Sequence, residues 1–202
     1  NQNDKLKFHP IVQTSDTKKF NLKWKREYIP VNIYSKRAIN EFEKEKIIIG
    51  RLTKEIQACL DINKFYVGKA TVITDTTINL KVLLCLLNSK VANFWYYTKF
   101  ETTHMAGGYL RYDIPYLEQL PIPKIPKQIV LQKFETIADY LIFLNDATNP
   151  AVNPYSDNAS IAPVFEDVSN MMVYELYFTE HMKELDLDIL NEKEFDKYFL
   201  PI

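Results

Sequence analysis

Residues 79–123 constrain the fold more than any other stretch. They read NLKVLLCLLNSKVANFWYYTKFETTHMAGGYLRYDIPYLEQLPIP. Leu80, Leu83, Leu84, Leu87, Val91, Phe94 and Trp95 recur at the offsets that put side chains on one face of a 3.6-residue helix. One helix is therefore expected from a cap at Asn79 to about Thr98, with Leu84 and Phe94 in the core. Glu101–Gly108 is then small and polar, and its Gly107-Gly108 pair permits backbone angles closed to other residues. Tyr109–Tyr112 reads as a short strand. Asp113-Ile-Pro opens a short helix, with Asp113 as its cap and Pro115 in its first turn. Leu120-Pro-Ile-Pro is an extended exit, because each Pro pushes its predecessor away from helix. A buried helix thus delivers a polar loop, and a strand and a Pro-rich exit hold the loop's far end.

The flanking segments are read in the same way. Residues 1–20 are polar and irregular and read as a linker or cut end. Phe20–Lys25 is a candidate strand, and Tyr28–Tyr34 is extended, with Pro30 arguing against a central strand. Ala38–Lys46 is a charged helix candidate. Lys46–Leu52 (KIIIGRL) is a buried strand that emerges at Gly50-Arg51. Gln57–Asp61 and Lys64–Val67 suggest a hairpin turning at Asp61-Ile-Asn, and Ala70–Thr74 is a β-branched strand. Lys127–Asn145 is a long helix with the stripe Ile129, Val130, Phe134, Ile137, Ala138, Leu141 and Leu144. Residues 146–163 read as a polar loop, and Val164–Lys183 as a third helix. The order predicts an α+β fold: a mixed-sheet domain over 1–124, then a helical C-terminal extension over 125–202.

Charge is distributed unevenly behind a net of −1. Residues 1–70 hold 15 Lys+Arg against 8 Asp+Glu, a net of +7, and residues 136–202 hold 3 against 13, a net of −10. A basic first third suits a phosphate-binding surface, although surface lysines also collect without function. The acidic last third is expected to face solvent or a basic partner. No apolar run reaches the roughly 20 residues that span a bilayer. Cys59 and Cys85 sit in apolar surroundings and read as buried thiols, so a reducing cytoplasm is the expected compartment.

The sequence argues against catalysis by this chain. There is no Gly-rich nucleotide loop, and the chain has four Gly in all. Asn153-Pro-Tyr155 lacks the second Pro of an amino-methylating loop and reads as an ordinary turn. His9, His104 and His181 are isolated from any nucleophile, and no Cys/His pair has zinc-ligand spacing. No carboxylate cluster with a nearby Lys suggests a nuclease. An independent small enzyme is the weakest reading.

Taken together, LLCLLNSKVANFWYY, the Gly-pair loop and GGYLRYDIPYLEQLPIP resemble the C-terminal specificity domain of TaqI-like DNA methyltransferases, a module also found in type IIG restriction-modification enzymes. KIIIGRL at Lys46–Leu52 and FYVGKATVITD at Phe65–Asp75 add to the match, and MVYELYF at Met172–Phe178 extends it loosely. The resemblance implies a DNA target-recognition role. It also implies a longer parent, in which a nuclease and an adenine-N6 methyltransferase, using Mg2+ and S-adenosylmethionine, precede this module. The implied partners are double-stranded DNA and those upstream domains.

Recognition needs paired donors and acceptors for bases and cations for phosphates. The candidates are Arg51, Lys54, Lys69, Thr102, Thr103, His104, Tyr109 and Arg111, at strand ends or in the loop. Each also has a structural reading. Arg51 and Lys69 fit solvated strand ends, and the two threonines and His104 fit loop-closing roles. Arg111 fits a pair with Asp113 or Glu118, and Tyr109 fits the core. If they form one face, the acidic helices beyond Thr136 should lie away from it. The competing reading of the whole chain is a protein-docking scaffold that uses its two long helices.

Overall fold

The computed structural model describes residues 7–103, 105–124, 128–146, 158–187 and 189–190. The strands and helices, in chain order, are β1 (Phe8–Val12), β2 (Thr17–Lys18), β3 (Asn21–Leu22), β4 (Tyr28–Pro30), α1 (Lys36–Phe42), β5 (Lys46–Gly50), β6 (Leu52–Thr53), β7 (Ala58–Asp61), β8 (Tyr66–Val67) and β9 (Ala70–Ile73). They continue with α2 (Leu80–Asn88), α3 (Lys90–Lys99), β10 (Leu110–Arg111), α4 (Ile114–Leu117), α5 (Gln128–Asn145), α6 (Asn158–Tyr177) and α7 (Thr179–Glu184). This is the α+β fold that the pattern predicts. No helix among the described residues is long and apolar enough to cross a membrane.

The continuous apolar run of β5 has a simple cause: the strand is buried on both faces. It is the centre of an antiparallel sheet, with β7 on one side and β9 on the other. Successive side chains point to opposite faces. Ile47 and Ile49 enter a large core with Leu84, Phe134 and Ile137, while Ile48 enters a second core with Val12, Phe42, Cys59 and Tyr66. A second sheet places β1 between β4, which is antiparallel to it, and β8, which is parallel.

That second sheet corrects two expectations. Residues 8–12 are a strand rather than part of a linker: Ile11 and Val12 are buried in the smaller core, and His9 stacks on Tyr66 at 4.5 Å. The segments 57–61 and 64–67 do not form a hairpin. β7 pairs with β5, and β8 joins β1. The reason is Asp61, whose buried carboxylate accepts the Asn63 N–H at 2.8 Å and the Phe65 N–H at 2.9 Å. This turn throws the chain into the other sheet. The same carboxylate meets the buried Lys46 ammonium at 2.6 Å. Of the candidate strand 20–25, only Asn21–Leu22 is one.

The expected single helix over 79–98 is two helices. Asn79 caps α2 as predicted, accepting from Lys81 N–H at 2.9 Å. Ser89 then ends α2 and caps α3: its hydroxyl donates to Leu86 C=O at 2.7 Å and accepts from Ala92 N–H at 3.1 Å. Beside it, the Asn88 amide bonds both the N–H and the C=O of Ala58, each at 2.9 Å, and so completes the free edge of β7. The break resets the helical phase. Ala92 and Tyr96 turn inward, and Phe94, expected in the core, is 74% exposed. Leu84 is fully buried, as expected.

In α5, Phe134, Ile137, Ala138 and Leu141 are fully buried, and the apolar stripe lies against α2 and α6. The Ile129 side chain and residues 147–157 lie outside the description. Helix α6 starts at Asn158 and runs through Pro163, rather than starting at Val164, and it ends at Tyr177 before the separate α7. Position 188 and the tail from 191 also lie outside the described residues.

Candidate nucleic-acid interface

Two glycine-led turns, Gly50-Arg51 after β5 and Gly68-Lys69 after β8, come together under the segment 13–17. A Cβ on Gly50 would stand 2.6 Å from Thr17 Oγ1 and 3.0 Å from Thr53 Cγ2, and one on Gly68 would crowd the Gln13 side-chain amide, so a side chain at either position would displace groups that close the segment over the turns. The Gln13 side chain accepts the Lys69 N–H at 2.9 Å. The Thr14 hydroxyl accepts the Arg51 N–H at 3.2 Å and donates to the Lys69 carbonyl, tying one turn to the other. The segment is held in a short 3-10 turn by a reciprocal contact, with Gln13 N–H donating to the Asp16 carboxylate at 2.9 Å and Asp16 N–H to the Gln13 carbonyl at 3.0 Å.

A two-stranded ribbon rises beside these turns. β6 and β10 pair antiparallel, with Arg111 opposite Leu52 and Leu110 opposite Thr53. Alternation buries Leu110 and Tyr112 and leaves Tyr109 and Arg111 outside. The ribbon is anchored from below: Tyr96 Oη donates to the Arg111 carbonyl at 2.5 Å, Tyr112 N–H to the Arg51 carbonyl at 2.9 Å, and Thr71 Oγ1 to the Tyr112 carbonyl at 2.6 Å. Burial raises the Tyr96 and Tyr112 phenols well above their ordinary range, so both stay protonated. Gly107 and Gly108, at φ 82° and 77°, make the left-handed turn that returns the chain from Met105 to Tyr109.

Between the turns and the ribbon lies an open cleft of about 1350 Å³. Five of the eight residues singled out from the sequence line it: Arg51, Lys54, Lys69, Tyr109 and Arg111. Lys18 adds a sixth charged or aromatic group of the same kind, and Glu55, paired with Lys19 at 2.7 Å, is the one carboxylate among the described residues that line the cleft. Lys54 Nζ sits 5.7 Å from the centre of the Tyr109 ring. Arg111 makes no ion pair with Asp113 or Glu118 among the described residues. Asp113 binds Arg51 instead, with Nε–Oδ1 at 2.5 Å and Nη2–Oδ2 at 3.4 Å, and this contact holds the guanidinium even further above neutral pH.

Thr102 is exposed on a short 3-10 helix over 101–103 and does not line the cleft. The Thr103 side chain and His104 lie outside the described residues. Gln13, Thr14, Ser15 and Gln57 line the cleft without having been foreseen. The usable signal for the first three was Gln13-x-x-Asp16, a reciprocal-cap spacing just after an apolar pair, in a stretch whose polarity read as linker. Among the described residues, none past Arg111 lines the cleft, so α5, α6 and α7 stand outside it.

Compared with known protein families, the chain matches the TaqI-like C-terminal specificity domain over residues 9–122. The chain belongs to that family. The match starts inside β1 and covers every residue that lines the cleft. No curated protein matches the chain. A TaqI-like specificity domain is a sequence-recognition module of restriction-modification enzymes, in a family associated with methyltransferases, and it is not itself catalytic. In this TaqI-like domain the cations, one aromatic face and two Gln amides occupy one cleft. Cations and amides are the kinds of group with which proteins in general contact phosphates and base edges.

Proposed function

We propose that this chain is the DNA target-recognition module of a type IIG restriction-modification enzyme, and that it directs an adenine-N6 methyltransferase and an endonuclease in the same protein to one site on double-stranded DNA. The observation that carries the reading is the cleft. In a TaqI-like specificity domain, Lys18, Arg51, Lys54, Lys69 and Arg111 converge there from four separate segments, and all but Arg51 lack a carboxylate partner among the described residues. Lone cations on strand ends suit phosphates, and Gln57 and Arg51 carry paired donors or acceptors suited to base edges. S-adenosylmethionine and Mg2+ belong, in this reading, to the catalytic parts of the parent. Among the described residues no group of three or more His, Cys, Asp or Glu is placed to hold a metal. The buried free thiols of Cys59 and Cys85 agree with a cytoplasmic setting. The docking alternative draws no support from α5, whose apolar stripe packs inside the fold.

The test is duplex binding as a function of salt. Affinity should fall steeply as salt rises, with a slope of about −0.9 in log K against log salt for each phosphate neutralised. Lys69→Ala should weaken all duplexes about equally and reduce the slope by roughly one unit. If binding survives loss of Arg51, Lys54, Lys69 and Arg111 together, the recognition surface lies elsewhere.

A further inference from the structure

We propose that Arg51 reads a guanine in the target, and that Asp113 is the positioning residue that holds its guanidinium for that contact. The proposal rests on the DNA-recognition reading and makes it specific.

Arg51 differs from every other cation in the cleft. Its backbone is pinned on both sides, N–H to Thr14 Oγ1 and C=O to Tyr112 N–H, as that of Lys69 is by Gln13 and Thr14; the difference lies in the side chain. Its side chain is 53% exposed yet held by a carboxylate through Nε and Nη2. A guanidinium has five N–H donors in a rigid plane. Asp113 takes one on Nε and one on Nη2. Both hydrogens of Nη1 and the second of Nη2 have no partner among the described residues. One from each Nη lies parallel to the other along the terminal edge, the fork that matches the O6 and N7 acceptors of guanine.

Asp113 is placed for this contact at the expense of a local one. It occupies the N-cap of α4, and its carbonyl accepts the N–H of Tyr116 and of Leu117. An Asp there normally turns its carboxylate to the free N–H groups of the first turn. Here the side chain makes no capping bond and reaches back to Arg51. Stability does not account for the pair, since an exposed ion pair contributes little. Phosphate binding does not account for it either. A neutralised arginine attracts a phosphate less than Lys54, Lys69 and Arg111 around it, which have no carboxylate partner among the described residues, so the pairing favours a base edge, where geometry counts for more than net charge.

The experiment uses the 202-residue chain and a library of random duplexes, selected for binding and sequenced, with affinities then measured on single-base-pair variants of the preferred duplex. The unaltered chain should require G·C at one position or more. Arg51→Ala and Arg51→Lys should each lower discrimination at one such pair by about 5- to 150-fold, since an ammonium cannot present the planar fork. Asp113→Asn should relax the same pair and no other, and should leave the melting temperature within about 2 °C. The double variant Arg51→Ala/Asp113→Asn should lose no more discrimination than Arg51→Ala alone. Equal weakening on all duplexes after Arg51→Ala, or an unchanged base preference after Asp113→Asn, would overturn the proposal and leave the DNA-recognition reading standing. If the unaltered chain binds no duplex, both fall.

Discussion

The Lys46–Asp61 pair gives the sharpest test of how the fold is held. Lys46 opens β5 and Asp61 closes β7, directly opposite in register, and neither side chain is exposed to solvent. The ammonium meets the carboxylate at 2.6 Å and also donates to the Phe42 carbonyl at 2.6 Å. The carboxylate further accepts the two backbone N–H groups that make the turn into β8. Lys46→Met leaves a buried carboxylate without its countercharge, and Asp61→Asn leaves a buried ammonium with carbonyls alone. Each should cost about 3–5 kcal/mol, the penalty for stranding one member of a buried pair. At about 2–4 °C per kcal/mol for a chain of this size, that is a fall in melting temperature of roughly 6–20 °C. The double variant strands no charge, so it should cost well under the sum of the single losses, with a coupling of about 2–3 kcal/mol. The assay is urea unfolding followed by tryptophan fluorescence. Trp24 is a local reporter, because its ring lies 5.3 Å from that of Phe65, whose N–H donates to Asp61. Single losses below about 1 kcal/mol, or a double loss equal to the sum, would refute the argument that the pair is a coupled, desolvated unit.

Three further outcomes are expected. Leu84→Ala should cost about 2–5 kcal/mol in the same urea assay, whereas Phe94→Ala, on an exposed face, should stay within about 0.5 kcal/mol; a large Phe94 loss would place α3 wrongly. Asn88→Ala leaves the Ala58 N–H without its acceptor and removes one of two donors to the Ala58 carbonyl, the other being the Phe20 N–H, and should cost about 1–3 kcal/mol, with Asn88→Asp intermediate because it restores the acceptor; hydrogen exchange at the Ala58 N–H should speed up in Asn88→Ala and much less in Asn88→Asp, and an unchanged rate in Asn88→Ala would count against the edge-closing role. Cys59 and Cys85 should resist a thiol reagent at pH 8 until the chain is unfolded, because both are buried and burial pushes the Cys85 thiol up to about 12 and the Cys59 thiol higher still; rapid labelling of the native chain would contradict their placement.

What could be read from the sequence followed the strength of the local signal. Helix α5 was visible because Phe134, Ile137, Ala138 and Leu141 repeat at helical spacing with nothing to interrupt them. β5 was visible because three isoleucines in a row suit only a strand or a buried helix, and Gly50 ends the run. The failures share one cause, a polar side chain with a tertiary role. Ser89 looks like a tolerable interruption of a long helix until its hydroxyl is seen to end one helix and start the next. Asp61 looks like a hairpin turn until its carboxylate is seen holding Lys46. Asp113 stands at a helix cap as expected, but its carboxylate binds Arg51, a partner the sequence did not suggest. The cleft itself was half legible. The strand-end cations stand out because Gly precedes Arg51 and Lys69, whereas the side chains of Gln13 and Thr14 that shape the cleft bond to segments more than thirty positions away in the chain.

The single hydroxyl of Thr14 joins the turn after β5 to the turn after β8, and these turns belong to different sheets. The two sheets therefore share a keystone at the cleft rim. The residues that point into the cleft hang from the keystone but do not form it. Exchanging Arg51, Lys54, Lys69 or Arg111 for other exposed side chains leaves the arch intact, so new target preferences are accessible by point substitution at little risk to folding. Changing Thr14, Gly50 or Gly68 moves the rim itself and shifts every reading position at once. Diversification in such a module should therefore run through the tips of the strands, while the clasp beneath them stays fixed.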